Sequence, residues 1–252
     1  VKKNDGSWIY FSSDIAYHHG KVLRGYDEII NVWGADHAGY IKRVKAALVA
    51  LGHTDVKFTV KLCQIVNLLE NNQIVKMSKR SGNFVLIKDV VKTLGKDVVR
   101  FFMLTRKNDA HLDFDLKKCQ EENKDNPIFY IQYAIARVNS LNKQLKEKKI
   151  NLIDKHENGF KRFNEDEINI IKILSLWPKI IENSVTFKEP HRIVYYLIEL
   201  ASILHNYWSM GNSKTNLRII NQNDIELTCA RVNLIKCIYK LIKMGLDIIS
   251  IK

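Results

Sequence analysis

The stretch IINVWGADHAGYIKRVKAALVALG, residues 29–52, decides the fold class. Its first five residues form a short apolar run, the pattern expected of a strand buried on both faces. A glycine turn follows, then helical periodicity ending at Gly52. A strand that hands over to a helix in this way belongs to an α/β unit, whose ligands bind outside the carboxyl ends of the strands. Gly34, Asp36 and His37 stand at that handover. Glycine lets a ligand approach the backbone, a carboxylate can hold ribose hydroxyls, and imidazole can donate to phosphate. The same residues also suit a plain turn with an Asp cap and a surface histidine.

The flanking sequence extends the α/β reading. VKFTVKLCQIVNLL (56–69) and QIVKM (73–77) are β-like runs separated by Glu70-Asn71-Asn72, and paired asparagines favour a hairpin there. Between apolar stretches lies IVKMSKRSGN (74–83), which offers Lys76, Lys79 and Arg80 as cations and Ser78 and Ser81 as donors. Such a loop can wrap a polyphosphate and stabilise charge that develops in a transition state. It also suits a solvated hairpin end. KDVVKTLG and KDVVRFFMLTR read as two helices punctuated by Gly95.

From Asn126 onward the texture changes to long helical periods. NPIFYIQYAIARVNSLNKQL places apolar residues at three- and four-residue steps, with Asn126 as cap and Pro127 at the first helical position. EDEINIIKILSLWPKII reads as a helix kinked at Pro178; the next two helices are expected to stop at Gly211 and Gly245. The predicted organisation is therefore an α/β part over residues 1–121 and an all-α bundle over 122–252, divided by the polar segment KKCQEENKDN.

Composition narrows the function classes. The 252 residues include 40 Lys+Arg against 27 Asp+Glu, a net charge of +13 that favours a polyanionic partner, although a lysine-rich proteome also produces it. No apolar run approaches the roughly 20 residues of a membrane span, and no secretory leader is present, so a cytoplasmic location is expected. Cys63, Cys119, Cys229 and Cys237 lack zinc-ligand spacing and read as thiols of a reducing compartment; no protein-ligated metal is expected. The start, VKKNDGSWIYFSSD, has no initiator methionine and reads as the interior of something longer.

Lys-Met-Ser-Lys at 76–79 resembles the second signature of class I aminoacyl-tRNA synthetases. Together with WGADHAGYIKR, QIVNLL, KMSKRSGNFV, HLDFDL and NPIFYIQYAIAR, in this order and spacing, the chain resembles the bacterial-type arginyl-tRNA synthetases nearly end to end. The resemblance implies the second half of a Rossmann-type catalytic domain followed by a helical anticodon-binding domain. It implies ATP-dependent attachment of arginine to its tRNA through an arginyl-adenylate, with Mg²⁺ accompanying ATP and a monomer as the whole enzyme.

On matching positions, Tyr10 and Asp14 in YFSSDIAY would hold the guanidinium of arginine, four residues apart and so on one face of a helical turn. Read without the resemblance, Asp14 is a helix cap. Gly34, Asp36, His37, Val66 and Met77 would contact ATP. Lys76, Ser78 and Lys79 would carry the catalytic charge stabilisation. Tyr130, Tyr133, Arg137 and Trp208 would meet the splayed anticodon loop by stacking and guanidinium contacts, which suits unstacked RNA bases; for Tyr130 plain helix packing is an equal alternative. The family's first signature is absent, and YHHGK (17–21) is not a substitute for it. Family members commonly carry His where Ala38 and Ile135 stand. The expectation is thus a carboxy-terminal fragment inactive in adenylation by itself. A non-catalytic tRNA-binding fragment or truncated paralogue is the alternative, and a class I synthetase for another amino acid a third reading.

Overall fold

The computed structural model describes residues 2–70, 73–75, 85–150 and 157–252. The chain forms two compact units: Val1–Asn67 with Lys107–Asp113, and Leu68–Arg106 with Phe114–Lys252.

The first unit opens with helix α1 (Tyr10–Val22), followed by strand β1 (Glu28–Gly34), helix α2 (Tyr40–Ala50) and strand β2 (Lys57–Cys63). β1 and β2 pair in parallel, from Glu28 against Lys57 to Gly34 against Cys63. Parallel neighbours need a crossover, and α2 is that crossover. Gly52, at φ +83°, turns the chain out of α2 towards β2. The α/β expectation therefore holds here.

Burial of β1 on both faces does not. Ile29 and Asn31 are buried, whereas Ile30 and Val32 are 49% and 67% exposed. Successive strand side chains point to opposite faces. α1 engages the Asn31 face, through the side chains of His18 and Lys21. The run 56–69 is likewise not one strand. Gln64 turns its N–H to the Asn108 carbonyl at 2.8 Å, and strand β3 (Val66–Glu70) starts beyond that break.

In the second unit β3 pairs antiparallel with β4 (Gln73–Ile74), Leu69 against Ile74, as the hairpin reading requires. Helices α3 (Ile87–Leu94) and α4 (Lys96–Met103) meet at Gly95, whose φ of +84° suits glycine. Strand β5 (Leu112–Asp115) completes a three-stranded sheet in the order β4-β3-β5. Then come α5 (Pro127–Glu147), α6 (Glu157–Phe160), α7 (Glu165–Leu174), α8 (Trp177–Phe187), α9 (His191–Ser213) and α10 (Ile225–Ile248).

Asn126 caps α5 as expected. Its Oδ1 accepts from the N–H groups of Ile128 and Phe129, and its Nδ2 donates to the carbonyls of Cys119 and Glu121. The bundle core is a continuous apolar cluster that includes Ile131, Leu141, Leu197, Leu204, Ile235 and Ile238, and Phe101 of α4 belongs to it. Arg100 donates through Nε to the Ile249 carbonyl.

Three helix boundaries differ from expectation. Pro178 does not kink one helix: the chain breaks at Ser175-Leu176, and Pro178 lies in the first turn of α8, where its missing N–H costs nothing. Gly211 and Gly245 do not stop their helices. A Cβ on Gly211 would lie 3.1 Å from the Leu217 carbonyl oxygen, and one on Gly245 would lie 2.5 Å from Leu197 Cδ2. Both glycines serve close packing inside a helix.

One ion pair is sealed in this unit. Glu167 is 0% exposed and Arg231 4%. Glu167 Oε1 accepts from Arg231 Nε at 2.6 Å and from the Tyr207 hydroxyl at 2.6 Å. Arg231 Nη1 donates to the carbonyls of Asn216 and Arg218, each at 2.8 Å. Glu167 also completes a capping box with Asn164 at the start of α7.

Candidate functional site

In the first unit, α1 carries Tyr10, Asp14, Tyr17, His18 and Lys21, spaced so that they share one side of the helix. With Trp33, His37 and Tyr40 they line a cavity of about 200 Å³. Tyr10 and Asp14 are thus brought together with His37. Asp14 lies inside α1, whose N-cap is Ile9, so the capping alternative is excluded.

Below the cavity the side chains are locked. His18 Nδ1 donates to the Asp14 carbonyl at 2.7 Å, and His18 Nε2 receives Asn31 Nδ2 at 2.6 Å. That pattern requires the neutral tautomer with the proton on Nδ1. Asn31 Oδ1 accepts from Lys21 Nζ at 2.9 Å, which fixes the orientation of the amide. Lys21 Nζ also sits 4.4 Å over the Tyr17 ring. Partial burial, then the charge of Arg24, draws the Lys21 pKa below its ordinary value, while Asp14 works in the opposite direction.

The cavity therefore offers an outward carboxylate among aromatic faces. That arrangement suits a planar cation, which gains both ionic hydrogen bonds and stacking.

Gly34 ends β1, and Ala35–His37 form a 3-10 turn beyond it, at the carboxyl end of the parallel pair. Asp36 folds back over Gly34: a Cβ there would lie 2.5 Å from Asp36 Oδ1. Asp36 Oδ2 and His37 Nε2 are 3.6 Å apart and exposed. Asp36 makes no side-chain cap to this turn. Val66 opens β3, half-buried, and is not among the residues lining the cavity. Lys76, Met77, Ser78 and Lys79 lie outside the described residues. Among the described residues no cluster of three or more His, Cys, Asp or Glu side chains could hold a metal ion.

In the second unit, Tyr130, Tyr133 and Arg137 rise from α5, and Arg137 meets Trp208 of α9. The Arg137 guanidinium carbon stands 4.7 Å from the Tyr133 ring centre and 5.6 Å from that of Trp208. Tyr133 is 46% exposed. Tyr130 is half-buried and packs against the core, so the packing alternative holds for part of its ring.

The residue that organises this cluster, His205, was not singled out from the sequence. It is buried, stacked on Tyr133 with centroids 5.1 Å apart, and lies 4.3 Å from the Tyr130 ring centre. Its Nε2 lies 3.0 Å from the Tyr130 carbonyl, so that nitrogen carries the proton. Burial draws the His205 pKa down from 6.5, and Arg137 adds to the effect. Its place one helical turn before Trp208 was the available signal. Tyr17, Lys21, Trp33 and Tyr40 were also missed, though the first two continue the Tyr10–Asp14 face of α1.

The sequence profile of the DALR anticodon binding domain family matches residues 131–252. Over its whole length the chain is 48% identical to an arginine–tRNA ligase of Rickettsia typhi and 47% identical to one of Rickettsia prowazekii. It spans 44% of the length of each of these curated relatives. A crystal structure from Campylobacter jejuni assigned to the arginyl-tRNA synthetases superposes with a TM-score of 0.80 at 31% identity, covering 100% of this chain and 53% of that one. The arginyl-tRNA synthetase of Thermus thermophilus shares the fold at a TM-score of 0.74 and 18% identity, covering 99% of this chain and 49% of that one. Sequence and fold agree: along its whole length the chain is similar to a carboxy-terminal portion of the arginyl-tRNA synthetases.

Proposed function

We propose that the protein is an arginine–tRNA ligase, acting in the cytoplasm as a monomer. The reading is supported above all by one observation: Tyr10 and Asp14 share a cavity with His37 at the carboxyl end of a parallel strand pair. Asp14 receives the guanidinium of arginine on its two carboxylate oxygens, and Tyr10 closes the outer side. Gly34, Asp36, His37, Val66 and Met77 contact ATP, and Mg²⁺ enters with ATP as part of that substrate. Lys76, Ser78 and Lys79 stabilise the charge on the phosphates while the arginine carboxylate attacks the α-phosphorus and pyrophosphate leaves. A hydroxyl of the terminal ribose of the tRNA then attacks the arginyl carbonyl of the adenylate, and AMP leaves. Residues 122–252 act as the anticodon-binding domain, with Tyr133, Arg137 and Trp208 against unstacked bases and Tyr130 beneath them.

A charged hydrogen bond of the Asp14 kind is worth about 1.5–3 kcal/mol net. Asp14→Asn in the whole protein is therefore expected to raise the KM for arginine roughly 10- to 100-fold in ATP–pyrophosphate exchange. An unchanged KM would remove Asp14 from the site. Exchange driven by another amino acid would overturn the arginine assignment, and absence of any exchange would favour a non-catalytic tRNA-binding role.

A further inference from the structure

Beside Trp208, in the second unit, two cavities of about 280 and 450 Å³ share Lys148, Arg218 and Ile220 in their walls and so form one trough. Gln144, Trp208 and Asn212 line its first part, and Asn216, Asn221 and Asn223 its second. No acidic residue is among the described residues that line it. Lys148 and Arg218 are both exposed.

The wall that carries Arg218 is held firmly. The buried Arg231 clamps the carbonyls of Asn216 and Arg218, and Glu167 in turn holds Arg231. Gly211 allows the Arg218 backbone to approach α9, since a Cβ there would lie 3.3 Å from Arg218 Cα. A cation on a fixed backbone that shares the walls of a trough with a second cation, with no carboxylate among the described lining residues, is preorganised for an anion. Amide side chains along the same trough have donors and acceptors for base edges. Trp208 belongs both to this trough and to the Tyr133–Arg137 platform, so the two surfaces are continuous.

We propose that this trough is a binding site for a single-stranded RNA segment that continues from the Tyr133–Arg137–Trp208 platform, with a backbone phosphodiester held between Lys148 and Arg218. The site deepens the anticodon-binding reading and rests on it. Arg231 is a positioning residue here, acting through the segment that presents Arg218.

The test is binding of the chain to a stem-loop RNA with an arginine anticodon. Lys148→Ala and Arg218→Ala are each expected to weaken binding roughly tenfold and to lower the slope of log K against log salt by about 0.7. Both side chains are exposed, and unchanged circular dichroism checks that the variants fold. A series of stem-loops, each with one phosphate replaced by a neutral methylphosphonate, locates the contact. One such replacement is expected to weaken binding to the parent chain tenfold and to have no effect on the Lys148→Ala/Arg218→Ala double variant. Lys179→Ala on α8 serves as the control for loss of a charge and is expected to bind as the parent does. If Trp208→Ala or Arg137→Ala weakens binding while the trough variants do not, the trough proposal fails and the anticodon reading stands. If methylphosphonate effects in the double variant equal those in the parent, the phosphate contact is refuted. If the parent chain does not bind the stem-loop, both fall.

Discussion

Replacement of Arg231 by methionine removes a buried cation and leaves three acceptors behind. Glu167 Oε1 keeps only the Tyr207 hydroxyl, and the carbonyls of Asn216 and Arg218 lose their donor. Breaking a buried ion pair on one side typically costs about 3–5 kcal/mol, because a charge is left uncompensated in a medium that solvates it poorly. Stranded buried carbonyls add about 1–3 kcal/mol each where water does not reach them. The Arg231→Met loss is therefore expected at 3 kcal/mol or more, read as a lower midpoint in urea denaturation followed by circular dichroism. Glu167→Gln should cost less. It leaves the Arg231 cation without a counter-charge, but it keeps an oxygen for Tyr207 and Arg231, and the carbonyls of Asn216 and Arg218 keep their donor; a weakened link to the Asn164 N–H takes back part of that advantage. A double replacement, Arg231→Met with Glu167→Leu, should recover part of the single Arg231→Met loss, because no charge then remains buried. A loss below about 1 kcal/mol for Arg231→Met, or a double variant less stable than the sum of the singles, would refute this reasoning.

Two further outcomes follow from the packing of the same unit. Gly245→Ala drives a methyl into the fully buried Leu197 and should destabilise the bundle by about 1–3 kcal/mol in the same assay, with no change in unfolding slope. His205 has a folded-state pKa below its ordinary 6.5, so the unfolded chain binds its proton more readily. The stability it supports is fully present above about pH 6.5 and is lost as pH falls from there through the lower folded-state pKa; His205→Gln should flatten that part of the stability profile.

Much of this architecture was legible from residues that act locally. Asn126-Pro127 predicted the start of α5, Gly95 the break between α3 and α4, and the two β-like runs on either side of residues 70–72 the β3–β4 pairing, because each signal acts on its immediate sequence neighbours. The α/β character of residues 29–52 was legible for the same reason. What escaped reading depends on partners distant in sequence. Gly211 and Gly245 look like helix ends until Leu217 and Leu197 are seen against them. Ile30 and Val32 look like buried residues until the cover on each strand face is known.

The candidate sites divide in the same way. Tyr10 with Asp14, and Tyr133 with Arg137, lie one helical turn apart and could be paired by spacing. Trp33 and Tyr40 reach the Asp14 cavity, and His205 reaches the tyrosines of α5, only through tertiary contacts that spacing does not encode.

The amide of Asn126 ties the turn before α5 to the first coil of that helix, and an aspartate could not replace it, having no N–H to offer the carbonyls of Cys119 and Glu121. Asparagine ages to aspartate when the next residue's backbone nitrogen attacks its side chain and closes a ring. Pro127 has no N–H with which to do so. The residue that begins the helix thus also closes this route of decay to its neighbour, on whose cap the helix bearing Tyr133 and Arg137 stands.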